Sequence, residues 1–300
     1  SVRGIIDTEN YEYGELFNEI NSHTGGIGTS LELYNDVTRV EEKAFRATFE
    51  IKAKALYEKL SVAFDMMGEI LTESKLEDEK RLLEILQMLK SRLLMRFQSA
   101  GHTTAVLRSL AYTSPSARLK DLTSGIEFYR VVARITEHFE EEKEDLIRKL
   151  KSLAVRLFRA EGMMISYTAS REGLDGLEDF VDSMKRRLFT DSVEEAVCIL
   201  HCEKKNEGFK TASKVQYVAI SGNFIDGGAQ YSGALQILKV ILSYEYLWQN
   251  IRVKGGAYGC MSNYNRIGEG YFVSRREPKL MRTKENYGGI KHYLKNLTIS

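Results

Sequence analysis

From Gly25 to Asn35 the chain alternates, with Ile27, Thr29, Leu31 and Leu33 on one side and Gly28, Ser30, Glu32 and Tyr34 on the other. A two-residue period marks a half-buried strand. Phe45, Ala47, Phe49 and Ile51 repeat it against Arg46, Thr48, Glu50 and Lys52, so the polar turn near Asn35 and Asp36 predicts an antiparallel pair. The period then lengthens. Leu56, Leu60, Phe64, Met67 and Leu71, followed by Leu82, Leu86, Leu89, Leu93 and Phe97, predict two helices. Further helical stripes run through Ile126, Tyr129 and Ala133 and through Leu146, Leu150, Leu153 and Leu157, with Pro115 as punctuation before them. Alternation returns at Met163, Ile165, Tyr167 and Ala169, predicting one strand, and Leu174, Leu177, Val181, Met184 and Leu188 continue as a helix.

Between about Thr190 and Ser213 no period survives, and Glu203, Lys204, Lys205, Asn206, Glu207 and Gly208 crowd together. That composition reads as a solvated linker. It divides the chain into an α+β unit over 1–190, a linker over 191–213 and a second unit over 214–300. In the second, KVQYVAISGNF predicts a strand, and Ala234, Ile237, Ile241, Tyr244, Trp248 and Ile251 predict a helix with one buried stripe. GGAYGCMSNYNR and EGYFVSRR then read as a hairpin, and Lys284 to Leu297 as a helix. So few strands ask for more partners, which makes this unit look unfinished at Ser300.

With 43 Lys+Arg against 42 Asp+Glu, the net charge of +1 gives no field to attract nucleic acid or an anionic membrane. No apolar run approaches the roughly 18 residues of a membrane span. The first residues carry no signal-peptide pattern. Cys198, Cys202 and Cys260 are an odd number and suggest no disulfide framework, so a reducing, cytoplasmic setting is expected.

Catalytic zinc commonly takes two His from one helix face and a further ligand. His23, His102, His138, His201 and His292 are scattered, and neither H-E-x-x-H nor H-x-x-E-H occurs in this sequence. His138 precedes the acidic run Glu140 to Glu142 but has no second His at helical spacing. Cys198, His201 and Cys202 could in principle hold a soft metal, yet a structural zinc site needs a fourth ligand and Cys260 is remote in sequence. Gly25, Gly26 and Gly28 precede a strand, which excludes a phosphate-cradling loop. What remains is LWQNIRVKGGAYG, an amphipathic helix broken by Gly255 and Gly256 and followed by a strand, which brings Arg252 and Tyr258 to one corner. Local chemistry alone leaves this open to a plain glycine helix end with a solvent Arg and a packed Tyr.

That string resembles the Arg/Tyr segment of insulinase and pitrilysin-like zinc peptidases, particularly their presequence-protease branch. Ser274, Arg276, Pro278, Leu280, Thr283, Glu285 and Tyr287 keep the pattern of the segment that follows there, while Arg275 replaces an aromatic and Glu277 an Asp. The resemblance is strong over Lys214 to Tyr287 and diffuse over Asn21 to Leu188. It implies two related insulinase-type α/β units, with antiparallel-rich sheets packed against helices and the second truncated. It also implies that an N-terminal half of the same polypeptide carries H-x-x-E-H and zinc, while this half closes over peptide substrates and lacks zinc. Tyr258 would then donate to the developing oxyanion, Arg252 would position substrate or Tyr258, and Gly255, Gly256 and Arg276 would belong to the substrate loop. A scaffold relative without zinc is the competing expectation, and an unrelated small-molecule-binding domain a third.

Overall fold

The first alternating segments pair as their pattern requires. In the computed structural model, which describes residues 6–194, 198–211 and 214–297, β1 (Ile27–Asn35) and β2 (Phe45–Ala53) form a two-stranded sheet. They follow α1 (Tyr13–His23) and precede a run of helices: α2 (Leu60–Thr72), α3 (Glu79–Ser99), α4 (Gly101–Leu110), α5 (Pro115–Ser124), α6 (Ile126–Glu137), α7 (Phe139–Leu157) and α8 (Leu177–Arg187). Then come β3 (Gln216–Asn223), α9 (Ala234–Ile241), a π-helical segment Leu242–Val253, β4 (Gly259–Tyr264), β5 (Glu269–Glu277) and α10 (Leu280–Lys295).

Two sequence expectations need correction. The alternating run Met163 to Ala169 joins neither sheet. Alternation supplies a face but not a neighbouring backbone to bond, and here Met164 stays 74% exposed while the Tyr167 hydroxyl donates to the Gly173 carbonyl at 2.6 Å. The other correction is the buried stripe of α9 and its continuation, which is described with the site below. Within the linker stretch, residues 195–197 and 212–213 lie outside the described residues, and those described form no helix or strand.

Two compact units emerge: Ser1–Glu32, Ala47–Leu89 and Ala133–Val197 form one, and Leu33–Arg46, Lys90–Val132 and Cys198–Ser300 the other. Residues 33–46 and 90–132 thus fall in the second unit, whereas the sequence-order division groups them with the first. In the first unit α2 is buried on two sides. Its Met66 and Ile70 meet Leu16 and Ile20 of α1, and Met67 and Leu71 meet Ala154, Phe158, Met184 and Leu188. Glu69 lies between those faces at 3% exposure, and a buried carboxylate must be bonded to persist. Asn10 Nδ2 and Arg187 Nη2 donate to its Oε2 at 3.0 and 2.9 Å, and the Asn10 amide donates to Oε1 at 3.2 Å.

The second unit is built on a sheet of order β3-β5-β4, antiparallel throughout. β3 and β4 run the same way with β5 inserted between them, a split β-α-β arrangement. Val218, Cys260 and Phe272 face a core of Leu242, Leu247, Ile251, Ala257, Tyr287 and Ile290. On the opposite face Tyr217 reaches α3 and donates to the Gln98 carbonyl at 2.7 Å.

The same unit is tied by a fork of charges. Arg108 Nη1 donates to Asp121 and Glu127, each at 2.8 Å, and Nε and Nη2 donate to the two Glu207 oxygens at 2.7 and 2.9 Å. A planar guanidinium matches such paired oxygens where an ammonium cannot. Glu207, inside the segment that reads as a solvated linker, is therefore fastened to α4. Hydrogen bonding from Arg108 pulls its carboxyl down to about 2.

Candidate functional site

The site begins with an irregular helix. From Leu242 the turns widen, so that the Lys254 amide donates to the Gln249 carbonyl at 3.0 Å, the five-residue reach of a π-helix. Leu242, Leu247 and Ile251 become fully buried, five and four residues apart. The tighter α period of the expected stripe places Ile237 and Tyr244 inward, but they are 64% and 67% exposed; of that stripe only Ile251 is fully buried.

Gly255 and Gly256 end this helix. A Cβ on Gly255 would stand 2.2 Å from the Ile251 carbonyl oxygen, and Gly256 has φ of +87°, a left-handed conformation in which glycine avoids the side-chain penalty. The Gly256 and Ala257 amides can then turn back to the Arg252 and Ile251 carbonyls at 2.9 and 3.1 Å, which satisfies the helix end.

This turn brings Arg252 and Tyr258 together. The Arg252 guanidinium donates from Nη1 to the Tyr258 carbonyl oxygen, stacks over the Trp248 ring at 4.2 Å and lies 5.6 Å from the Tyr258 ring. Tyr258 is 56% exposed, so it is not the packed tyrosine of the plain reading. Its hydroxyl meets no hydrogen-bond partner among the described residues. The Tyr258 amide bonds to the Arg275 carbonyl at 3.0 Å, fixing the tyrosine against β5.

Two more cations reach the same ring, Arg275 at 5.3 Å and Arg276 at 5.5 Å. Successive residues of a regular strand point to opposite faces, so a device is needed to bring both there. Tyr217 pairs with Arg275 and Gln216 with Glu277, leaving Arg276 as an extra residue. This β-bulge re-aims the side chains, and Arg276 adopts φ of 52°, which costs about 1–2 kcal/mol for a residue other than glycine. Arg275 and Trp248 are the participants that sequence reasoning missed. Trp248 was legible one turn before Arg252, whereas nothing in the residue types announces a left-handed arginine.

Beneath this corner the groups are buried and apolar in character. Burial pushes the Cys260 thiol up to about 11. Ser274 and Glu277 are fully buried, and Glu277 Oε1 accepts the Lys279 amide at 2.8 Å, holding the start of α10. Burial, with the positive charge of Arg275 second, lowers the His102 pKa. Cys198 is exposed and Cys202 half-buried, both as free thiols. Among the described residues no three His, Cys, Asp or Glu side chains gather to hold a metal, so the donor set that the resemblance implies for zinc is not assembled from them. Nor is any described helix long and apolar enough to cross a membrane.

Comparison with known proteins follows the same division of the chain. Residues 2–135 match the family described as associated with peptidases of metallo-subfamily 16C, and residues 206–300 match the PreP C-terminal domain. Protein HypA of Clostridium perfringens is 34% identical over 98% of this chain and 30% of its own length. Presequence protease 1, chloroplastic/mitochondrial, of Arabidopsis thaliana is 22% identical over 98% of the chain and 27% of its own length. Presequence protease, mitochondrial, of Saccharomyces cerevisiae is 24% identical over 97% and 30%. The chain therefore spans less than a third of each of these relatives. Among solved structures, the periplasmic protease PqqL from Escherichia coli aligns over 99% of this chain and 31% of its own, with a TM-score of 0.51 at 13% identity, a likeness of fold. With two family matches covering its beginning and its end, and presequence proteases similar along nearly its whole length, the chain belongs to the insulinase-like peptidases, in their presequence-protease branch.

Proposed function

We propose that the protein carrying this chain is a zinc-dependent endopeptidase of unstructured peptides, and that this chain closes over the metal-bearing N-terminal half and lends it Arg252 and Tyr258. The observation that carries the reading is the pairing at the glycine turn: an exposed phenol without an internal partner among the described residues, beside a guanidinium without an ion pair among them. When a peptide carbonyl is attacked, negative charge grows on its oxygen, and a phenol O–H aimed there strengthens its bond as the charge develops. Arg252 can hold a neighbouring substrate carbonyl and, through the Tyr258 backbone, keep the phenol in place. The outward Ile237, Val240, Tyr244 and Val253 support a covering neighbour, because apolar surface of this kind is usually buried by another domain.

The full-length protein should bind about one zinc and cut a fluorogenic unstructured peptide in a chelator-sensitive way. This chain alone should do neither. A full-length protein that binds peptides without zinc or cleavage would establish the scaffold alternative, and chelator-sensitive cleavage by the isolated chain would overturn the division of labour.

A further inference from the structure

We infer that Arg275 and Arg276 join Arg252 as a carboxylate-receiving subsite beside Tyr258, so that peptides are selected for a negative charge as well as for an open backbone. The inference rests on the reading of Arg252 and Tyr258 as substrate-facing, and extends it to the substrate's chemistry.

Three guanidinium carbons lie within 5.3 to 5.6 Å of one ring centroid. Like charges so close repel one another, and a fold without a use for them would pair them with carboxylates. Yet Arg252, Arg275 and Arg276 make no ion pair among the described residues, although Arg108 in the same unit is paired with three carboxylates. The adjacent carboxylate does not answer them: Glu277 is fully buried, and its bonded oxygen takes the Lys279 amide. Arg275 Nε is buried and has no acceptor among the described residues. The cluster is nevertheless open on one side, since Tyr258 and Arg276 are exposed. The bulge matters most, because a regular strand would send one of the two arginines to the far face; a strained, left-handed Arg276 holds both at the ring. Guanidinium forks suit the paired oxygens of a carboxylate. A peptide offers that group at its C-terminus or on an Asp or Glu side chain.

The test uses the full-length protein with its metal chelated and one labelled unstructured peptide in four forms, with and without one internal Glu in place of Gln and with a free or amidated C-terminus. Fluorescence anisotropy should find the form lacking both carboxylates bound about tenfold more weakly than the best charged form. Arg275→Gln and Arg276→Gln should each remove most of that preference. The charged form that keeps the advantage identifies the source of the carboxylate. Arg276→Gly tolerates the left-handed backbone without the charge, so it should lose the preference while circular dichroism stays unchanged. Equal binding of all four forms, absence of binding, or a preference that survives the double Gln variant would overturn the inference. Cleavage by the zinc-loaded protein is measured separately. Charge preference without cleavage would sink the peptidase reading alone, and cleavage without charge preference would sink the subsite alone.

Discussion

Tyr258 offers its phenol to solvent while arginines crowd its ring, and the proposed oxyanion role makes a specific kinetic demand. In the full-length protein Tyr258→Phe should lower kcat by about 10²–10³ with little change in KM, because the lost hydrogen bond strengthens mainly in the transition state. Arg252→Ala should raise KM as well, since a charged anchor also serves the bound substrate. Steady-state kinetics on one unstructured peptide, with zinc content and circular dichroism checked, decides this; wild-type turnover in a folded, zinc-loaded Tyr258→Phe protein would return Tyr258 to a surface tyrosine. This pair was legible because Gly255 and Gly256 interrupt an apolar helix in front of a strand, which is a pattern of residue types. Arg275 was not, because its placement follows from a bulge, and a bulge is a property of pairing register.

Among the elements, period was the reliable signal and phase the fragile one. Ala234, Ile237, Ile241 and Tyr244 fit the α period, but the wider turns after Leu242 shift the inward face to Leu242, Leu247 and Ile251. The helix α5 shows a signal that was present but read only as punctuation. Ser114 Oγ accepts the Ala117 amide at 3.3 Å and Pro115 opens the helix, a start signal in its own right. The charge fork of Arg108 gives element-scale tests. Asp121 is fully buried and takes both Arg108 and the Ile126 amide, so Asp121→Ala should destabilise the chain by about 3–5 kcal/mol in urea titrations, leaving a buried arginine short of its partner. Glu207 has its carboxyl drawn down to about 2, first by the Arg108 hydrogen bond. Its contribution is therefore complete above the unfolded value of about 4.3 and fades as pH falls toward about 2. Glu207→Gln should flatten the pH dependence of stability in that window; an unchanged slope would mean that Glu207 is not fastened to Arg108 in solution.

For the whole molecule, the two ways of dividing the chain separate in a nicking experiment. Lys204 and Lys205 are exposed in a stretch without helix or strand, so brief trypsin treatment should cut there before the helices are attacked. Because one compact unit draws on both Lys90–Val132 and Cys198–Ser300, the two pieces should elute together on gel filtration under native conditions and part only in denaturant. Separation without denaturant would favour independent units over 1–190 and 214–300. Strand order carries a further consequence, for the order of synthesis. β3 and β4 are each paired only with β5 in this sheet, and β5 is made last of the three. While the polypeptide emerges, two ladders stay open until residue 277 is free of the ribosome, so this sheet cannot assemble vectorially. A nascent chain stalled before Glu269 should remain sensitive to protease across β3 and β4 and be a ready client for chaperones, whereas one released past α10 should close in a single cooperative step.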